Sequence, residues 1–370
     1  MTKMLLEILG MTNFCNLSCS YCTWDRKKYC PSTKEEIAKN KSNLEVIRET
    51  ILEKNDNIFL VSYLGGEPLY YPELYKNVLN VFSNKWIQII SNGILINDDI
   101  IKSAKNHGKT YFGISLDGAT DKANRPRFGN NLHYYDTIIK NIENLLKEDI
   151  NVLVLCTITK HNIDDIPYFI DFLSNKFSYY IDIGQLAFPA HCVSEYGYLD
   201  FLPDMSQVEK YVSFIKSDGH KYPMIERIYP FYELLNNYLL TKYNQRKCNI
   251  WNWMLGLHFL GDEIVKGGKF KSYGCGVRGV INLGSFDILS EKSRTFLYNQ
   301  TFKNKDFNIF LKNEVPFQCR IGCFNDWGVY DMIFNGDLKY NNAEKWFRLF
   351  KDPVVKKSVE IYKERNSLFV

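Results

Sequence analysis

The sequence predicts an α/β protein built on a parallel sheet with helices on its outer face, and three observations carry that prediction. Short apolar runs bounded by turn residues alternate with stretches of helical periodicity from residue 4 to about residue 187. One run, Val152-Leu-Val-Leu-Cys-Thr-Ile158, is apolar on both faces, as strands covered on both sides of a parallel sheet are. Polar or glycine-rich clusters follow the runs, and in such folds chemistry collects at the C-terminal ends of strands. Alternation alone permits either a doubly wound sheet or a full or partial barrel.

Taken in order, residues 4–9 read as a short buried strand leading into a cysteine-rich loop. A helix is expected at about 43–54, where Leu44, Ile47 and Ile51 recur at helical spacing. The run 58–63 is the second strand and ends in Gly65-Gly66-Glu67-Pro68. The pattern repeats with a helix near 72–82, a strand at 86–91, a helix near 97–106 and a strand at 110–115. Ile138, Ile139, Ile142, Leu145 and Leu146 then mark one face of a further helix. The strand at 152–158, a helix at about 163–175 and a strand at about 180–187 complete six β/α units.

With 370 residues, the chain has room for one large core and a smaller appended domain, at roughly 150 residues per domain. Its 25 Tyr, 25 Phe and 24% charged residues are those of a globular chain and not a disordered one. The net charge of +4 is spread thinly, without a block of five or six Lys or Arg, which argues against a nucleic-acid partner. The N-terminus lacks the apolar core and cleavage site of a signal peptide, and no apolar run is long enough to span a membrane. A cytoplasmic protein is therefore expected. There its ten cysteines stay reduced, and metal binding is the better use for them.

The segment Cys15-Asn-Leu-Ser-Cys19-Ser-Tyr-Cys22 directly follows the first strand. Three soft ligands on one loop suit zinc, copper(I) or an iron-sulfur cluster, and clustered buried thiols are the plain alternative. A structural zinc needs a fourth ligand, yet Cys30 lies eight residues on and the nearest histidine is His107. A 4Fe-4S cube needs none, because its fourth iron can stay open to a non-protein ligand. Gly65 to Pro68, Ser91-Asn92-Gly93 and Ser115-Leu-Asp117-Gly118 follow the next three strands. Each is an ordinary turn sequence alone, and together they describe one site.

On these motifs the first 190 or so residues resemble the core of a radical S-adenosylmethionine (SAM) enzyme, which implies a partial (β/α)6 barrel. The resemblance implies that Cys15, Cys19 and Cys22 bind a 4Fe-4S cluster whose open iron is chelated by SAM. It implies that the backbone of Gly65, Gly66, Glu67 and Pro68 and the Glu67 carboxylate hold the SAM amino group, chemically sensible because an ammonium needs acceptors. Tyr21 matches the residue whose backbone contacts adenine, and Ser91 and Asn92 match the polar pair near the ribose. Ser115 and Asp117 lie on the next strand end, and Arg125 or Arg127 is a candidate for the SAM carboxylate. The implied reaction is reductive cleavage of SAM to methionine and a 5'-deoxyadenosyl radical, which takes a hydrogen atom from the substrate. An external one-electron donor such as a flavodoxin or ferredoxin is implied with it.

Beyond residue 190 the alternation stops, and helical stretches at about 205–217 and 224–244 lead to Cys248, Cys275, Cys319 and Cys323. Four thiolates suffice for a structural zinc or a fully ligated 4Fe-4S cluster. The stretch from Cys275 to Asp287 reads as a β-hairpin with Gly284 at the turn, and it resembles the opening of the SPASM extension of radical SAM peptide maturases. Leu289 stands where that pattern has its second hairpin cysteine, so the set resembles the shortened twitch version with one auxiliary 4Fe-4S cluster. The expected organisation is a core over 1–190, a helical linker over 191–247, the auxiliary domain over 248–345 and a C-terminal helix over 346–370. Of the other cysteines, Cys156 reads as packing, and Cys192 is a candidate donor of a hydrogen atom from just past the last barrel strand. The resemblance points to a peptide substrate that is cross-linked, epimerised or oxidised. The alternative is a dehydrogenase for a small molecule such as a sugar or aminocyclitol, towards which the expected lack of an N-terminal winged-helix leader-binding domain counts.

Overall fold

A computed structural model describes residues 5–9, 11–12, 14–22, 31–53, 57–131, 133–177, 182–187, 201, 203–222, 254–259, 269–273, 282–287 and 351–367. The strands are β1 (Leu5–Leu9), β2 (Leu60–Leu64), β3 (Trp86–Ser91), β4 (Thr110–Ser115), β5 (Asn151–Thr157) and β6 (Asp182–Ala187), then β7 (Met254–Phe259), β8 (Lys269–Tyr273) and β9 (Asn282–Asp287). Helices α1 (Lys34–Ile47), α2 (Pro72–Val81), α3 (Asp98–His107), α4 (Asp121–Phe128), α5 (His133–Lys147) and α6 (Ile166–Phe177) fall between or beside the first six strands. Helices α7 (Met205–Asp218) and α8 (Pro353–Ser367) follow.

The strands form one sheet in the order β6-β5-β4-β3-β2-β1-β7-β8-β9. From β1 to β6, neighbours in sequence are parallel neighbours in space. Every crossover therefore runs the same way, and right-handed connections place the intervening helices on one face. From β1 to β6 the strand order runs one way without the reversal at a switch point that a doubly wound sheet has, and only the later β7 returns to the other side of β1. The fold is thus α/β of the singly wound, TIM-like kind, open between its edge strands β6 and β9 among the described residues.

Burial explains why these segments are strands. All six residues of β4 except Ser115, and the interior of β5 from Val152 to Cys156, are buried, covered on both faces. Phe112 and Phe169 are among the largest side chains that solvent does not reach. The helices have legible ends. Asn97 caps α3 by accepting from the Ile100 amide at 3.0 Å, and Gly108 ends that helix in the left-handed region. Thr33 and Glu36 form a reciprocal capping box at the start of α1.

Three sequence expectations are corrected here. Helix α1 begins at Lys34, nine residues before the expected start at 43, and ends near Leu52 in a five-residue π-helical stretch. Its buried face carries Asn40 and Asn43 beside Ile37, Leu44 and Ile47, so the apolar periodicity fades exactly where the helix starts.

The sheet also does not stop with the sixth unit. Strand β7 pairs parallel to β1, Leu5 opposite Met254, and β8 and β9 continue antiparallel. Lastly, Gly284 lies inside β9 and not at a hairpin turn. The hairpin partner of β9 is β8, which lies ahead of Cys275.

Helix α8 closes the far end of the sheet. Asp352, just before it, accepts from Trp86 Nε1 at 3.0 Å and pairs with Lys109 at 3.1 Å. Trp86 opens β3 and Lys109 precedes β4, so this contact marks the N-terminal strand ends, opposite the loops considered next. Val355 and Val359 are buried in the core from the same helix.

Candidate active site at the strand ends

The loops after β1 to β5 meet at adjacent C-terminal strand ends because the strands are neighbours in the sheet. Cys15, Cys19 and Cys22 are half-buried there. The stretch entering their loop is hydrogen-bonded to the Gly65-Gly66-Glu67 segment, with Gly66 N donating to Thr12 O and Glu67 N to Phe14 O, both at 2.8 Å. The ends of β1 and β2 are thus held in register by backbone bonds.

Two side chains extend this to β3. Glu67 is buried, and its carboxylate accepts from Ser91 Oγ at 2.7 Å, the Asn92 amide at 2.8 Å and the Leu69 amide at 3.1 Å. Burial raises its pKa to about 7 against the pull of those hydrogen bonds. Asn92 donates its side-chain amide to Asn16 Oδ1 at 2.8 Å and lies 3.8 Å from Cys15 Sγ, while the Leu17 amide lies 3.4 Å from the same sulfur. Gly93 then turns the chain with φ of 81°. A Cβ there would sit 2.9 Å from Ile114 Cγ2. Gly93→Ala is expected to cost roughly 1–3 kcal/mol, read from the urea midpoint, because both the left-handed backbone and the overpacking count against it.

The fourth strand end is organised by Asp117, which is 1% exposed. Its carboxylate accepts from Arg127 Nε at 3.1 Å and Nη2 at 2.9 Å, from the Thr157 amide at 2.9 Å and from the Tyr21 hydroxyl. Each carboxylate oxygen takes two donors, so its acceptor capacity is filled. Burial raises the Tyr21 pKa, with Arg127 opposing and Asp117 reinforcing. For Arg127, burial alone would lower the pKa, and Asp117 outweighs it and drives the value up. Losing one member strands a buried charge, a cost of roughly 3–5 kcal/mol. Gly118 admits α4 to this corner, since a Cβ there would lie 2.4 Å from Ala123 Cβ.

The structure therefore brings Tyr21, Gly65, Gly66, Glu67, Pro68, Ser91, Asn92, Ser115 and Asp117 to neighbouring strand ends. Their use differs from the sequence reading in three places. Arg127 was a candidate for the cofactor carboxylate, but its guanidinium fork is engaged by Asp117, while Arg125 is exposed on α4. Asp117 itself has no acceptor position left for a ligand. The Glu67 carboxylate is turned to Ser91, Asn92 and Leu69, so the half-buried backbone of Gly65 and Gly66 is the more open part of that motif.

Sequence reasoning overlooked Asn16, Asn124 and Asn162. Asn124 accepts from the Asp117 amide at 2.8 Å, and Asn162 donates to the Asp117 carbonyl at 2.7 Å and the Thr157 carbonyl at 3.0 Å. The available signal for Asn162 was its turn spacing from Thr159, whose amide it caps at 2.7 Å. Cys156 is fully buried, and burial raises its thiol pKa, as befits packing. Cys30, Cys192, Cys248, Cys275, Cys319 and Cys323 lie outside the described residues.

The fit to an iron-sulfur cluster rests on the donor set. Among the described residues no three His, Cys, Asp or Glu side chains converge as they would on a single metal ion. The loop offers three half-buried cysteines, a soft donor set of the kind that an iron-sulfur cluster takes at one thiolate per iron. Among the described residues, no helix is long and apolar enough to cross a membrane.

Comparison with known proteins agrees with this geometry. The family model "Radical SAM superfamily" matches residues 9–173. Fe-coproporphyrin III synthase of Methanosarcina barkeri is 28% identical over 177 residues, 47% of this chain and 42% of that protein. Sporulation killing factor maturation protein SkfB of Bacillus subtilis is 28% identical over 182 residues, 48% of this chain and 41% of that protein. The chain thus spans less than half the length of these curated relatives.

Among solved structures, anSMEcpe with bound AdoMet shares the fold with a TM-score of 0.58 at 16% identity, over 95% of this chain and 98% of that one. Streptococcus suis SuiB bound to its precursor peptide SuiA gives a TM-score of 0.58 at 16% identity, over 96% of this chain and 76% of that one. Family match, strand order and the cysteine loop converge on one stretch, residues 9–173, which matches the radical SAM superfamily model.

Proposed function

We propose that this chain is a radical SAM enzyme that abstracts a hydrogen atom from a peptide, in a maturation reaction that cross-links, epimerises or oxidises a residue. The observation that carries the reading is the convergence of the C-x3-C-x2-C loop with the next strand ends inside a matched radical SAM domain. Bound to the Cys15, Cys19 and Cys22 thiolates, a 4Fe-4S cluster supplies the electron that cleaves SAM to methionine and a 5'-deoxyadenosyl radical. The chain's own part is to hold that loop and the SAM. Gly65 and Gly66 let the backbone carbonyls approach the SAM ammonium, and Glu67, tied to Ser91 and Asn92, keeps that segment against β3. Tyr21 contributes its backbone towards adenine, Ser91 and Asn92 are the polar pair near the ribose, Ser115 lies on the next strand end, and Arg125 is the candidate for the SAM carboxylate. The peptide substrate is supported by SuiB, whose structure holds a precursor peptide, and by the maturation protein SkfB.

We assign Cys248, Cys275, Cys319 and Cys323 to an auxiliary 4Fe-4S cluster in a twitch-like domain over 248–345, with Cys192 as a hydrogen-atom donor and a flavodoxin or ferredoxin as electron source in the cytoplasm. A small-molecule substrate is the second reading, and the similarity to Fe-coproporphyrin III synthase favours it. The test is anaerobic reconstitution with iron and sulfide, followed by SAM and dithionite. About eight irons per chain and 5'-deoxyadenosine are expected, whereas four irons would remove the auxiliary cluster and no 5'-deoxyadenosine would remove the reading. Deuterium appearing in 5'-deoxyadenosine from a deuterated peptide encoded beside the gene would decide for the peptide. Its absence, with transfer from a small molecule, would decide against it.

A further inference from the structure

Of the two residues that separate Cys19 from Cys22, Ser20 is anchored directly to the short helix α4 and Tyr21 is tied to it through Asp117 and Arg127. Ser20 donates its amide at 2.7 Å and its hydroxyl at 3.0 Å to the Pro126 carbonyl. That carbonyl lies in the last turn of α4, where helix carbonyls lack intrahelical partners and take outside donors. The Tyr21 hydroxyl reaches Asp117, and Arg127, one residue past Pro126, closes bidentately on the same carboxylate with its guanidinium 5.6 Å from the Tyr21 ring centroid. The other half of the loop is held differently. Asn92, at the end of β3, contacts Asn16 and Cys15.

We infer that Arg127 is a positioning residue for the cysteine loop. Locked on Asp117, it clamps Tyr21 and, with the Pro126 carbonyl on Ser20, sets the placement of Cys19 and Cys22, while Asn92 independently sets that of Cys15. The geometry favours this over a ligand role, because Arg127 and Asp117 are 7% and 1% exposed and saturate each other. The inference rests on the loop being a ligand loop only for its consequence in the loaded protein, and its test begins without metal.

The metal-free, reduced full chain and its R127Q, R127K, Y21F and N92A variants are pulsed with iodoacetamide, and the rates at Cys15, Cys19 and Cys22 are mapped by mass spectrometry. Circular dichroism melts follow overall folding. R127Q is expected to speed alkylation of Cys19 and Cys22 several-fold relative to Cys15. Tyr21→Phe, which keeps the ring but removes one bond to Asp117, gives a smaller shift in the same direction. Arg127→Lys, which keeps charge but not the fork, falls between wild type and R127Q. Asn92→Ala reverses the pattern and speeds Cys15.

Equal rates in all variants would overturn the inference, and so would a uniform rise at all three cysteines, which marks a merely structural role. If R127Q does not fold, Tyr21→Phe and Arg127→Lys decide alone by the same ratios. After reconstitution with iron and sulfide, the reduced R127K and Y21F proteins are expected to show electron paramagnetic resonance spectra altered from wild type. Wild type that takes up no iron at this loop would remove the functional reading and leave the alkylation result standing. Wild type that loads, with variants spectrally identical to it, would remove the inference and leave the reading.

Discussion

A triple variant carrying alanine at Cys15, Cys19 and Cys22 is expected to form no detectable 5'-deoxyadenosine from SAM under strong reductant, where wild type turns over. The expectation is total loss because the three thiolates are the only protein ligands that the loop offers to the irons, and an alanine methyl binds none. Binding and orientation cannot substitute, since the electron must reach the sulfonium through the metal centre. The fold should survive. The three cysteines are half-buried on a loop, and the sheet is held by β1 to β6 and the apolar residues between strands and helices. A circular dichroism melt close to wild type, with 5'-deoxyadenosine quantified by chromatography, checks both halves. Continued SAM cleavage by the folded variant would refute the ligand assignment. Loss of folding would instead give the cysteines a packing role, which their partial exposure argues against.

The parts of this fold that were legible are those dictated locally. Strands β3 and β4 fall on their expected bounds, because Trp86–Ser91 and Thr110–Ser115 are apolar runs closed by turn residues. Helix α3 was equally clear, with Asn97 before it and Gly108 after it. What escaped detection depends on partners distant in the chain. Strand β7 finds its place beside β1 across nearly the whole barrel sequence, and no periodicity within Met254–Phe259 announces that. Helix α4 is eight residues long and contains Pro126, so it reads as loop until Thr120 is seen capping Ala123.

The same division holds at the site. Cys15 to Cys22 and Gly65 to Pro68 are contiguous motifs whose spacing is the signal. The Asp117, Arg127 and Tyr21 network joins residues 96 and 10 positions apart, and only the meeting of three elements turns a surface arginine in sequence into a buried fork in space. Arginine beside an expected anionic ligand is a fair guess from charge. Burial of both partners is what redirects it, since a charge taken from water needs a full set of partners close by.

Glu67 carries the second large effect, and it is one of pH. Its carboxyl is 1% exposed, and burial lifts its pKa from 4.5 to about 7 in spite of the Asn92, Ser91 and Leu69 donors. Between those two values the native state holds a proton that the unfolded chain has released. Stability contributed by this group is therefore complete below the unfolded value and is lost as pH rises through about 7. A shift of that size corresponds to about 3 kcal/mol. Glu67→Gln removes the titration, though it also turns an amide towards donors and so lowers stability by an amount independent of pH. The difference in stability between wild type and E67Q, from urea midpoints, should hence fall by about 3 kcal/mol from pH 4.5 to pH 8. A difference that stays flat, or that grows with pH, would mean that the three hydrogen bonds outweigh burial and hold the carboxylate ionised. Because Glu67 is the tie between the ends of β2 and β3, the same proton bears on how firmly the Gly65-Gly66 backbone is held beside the cysteine loop.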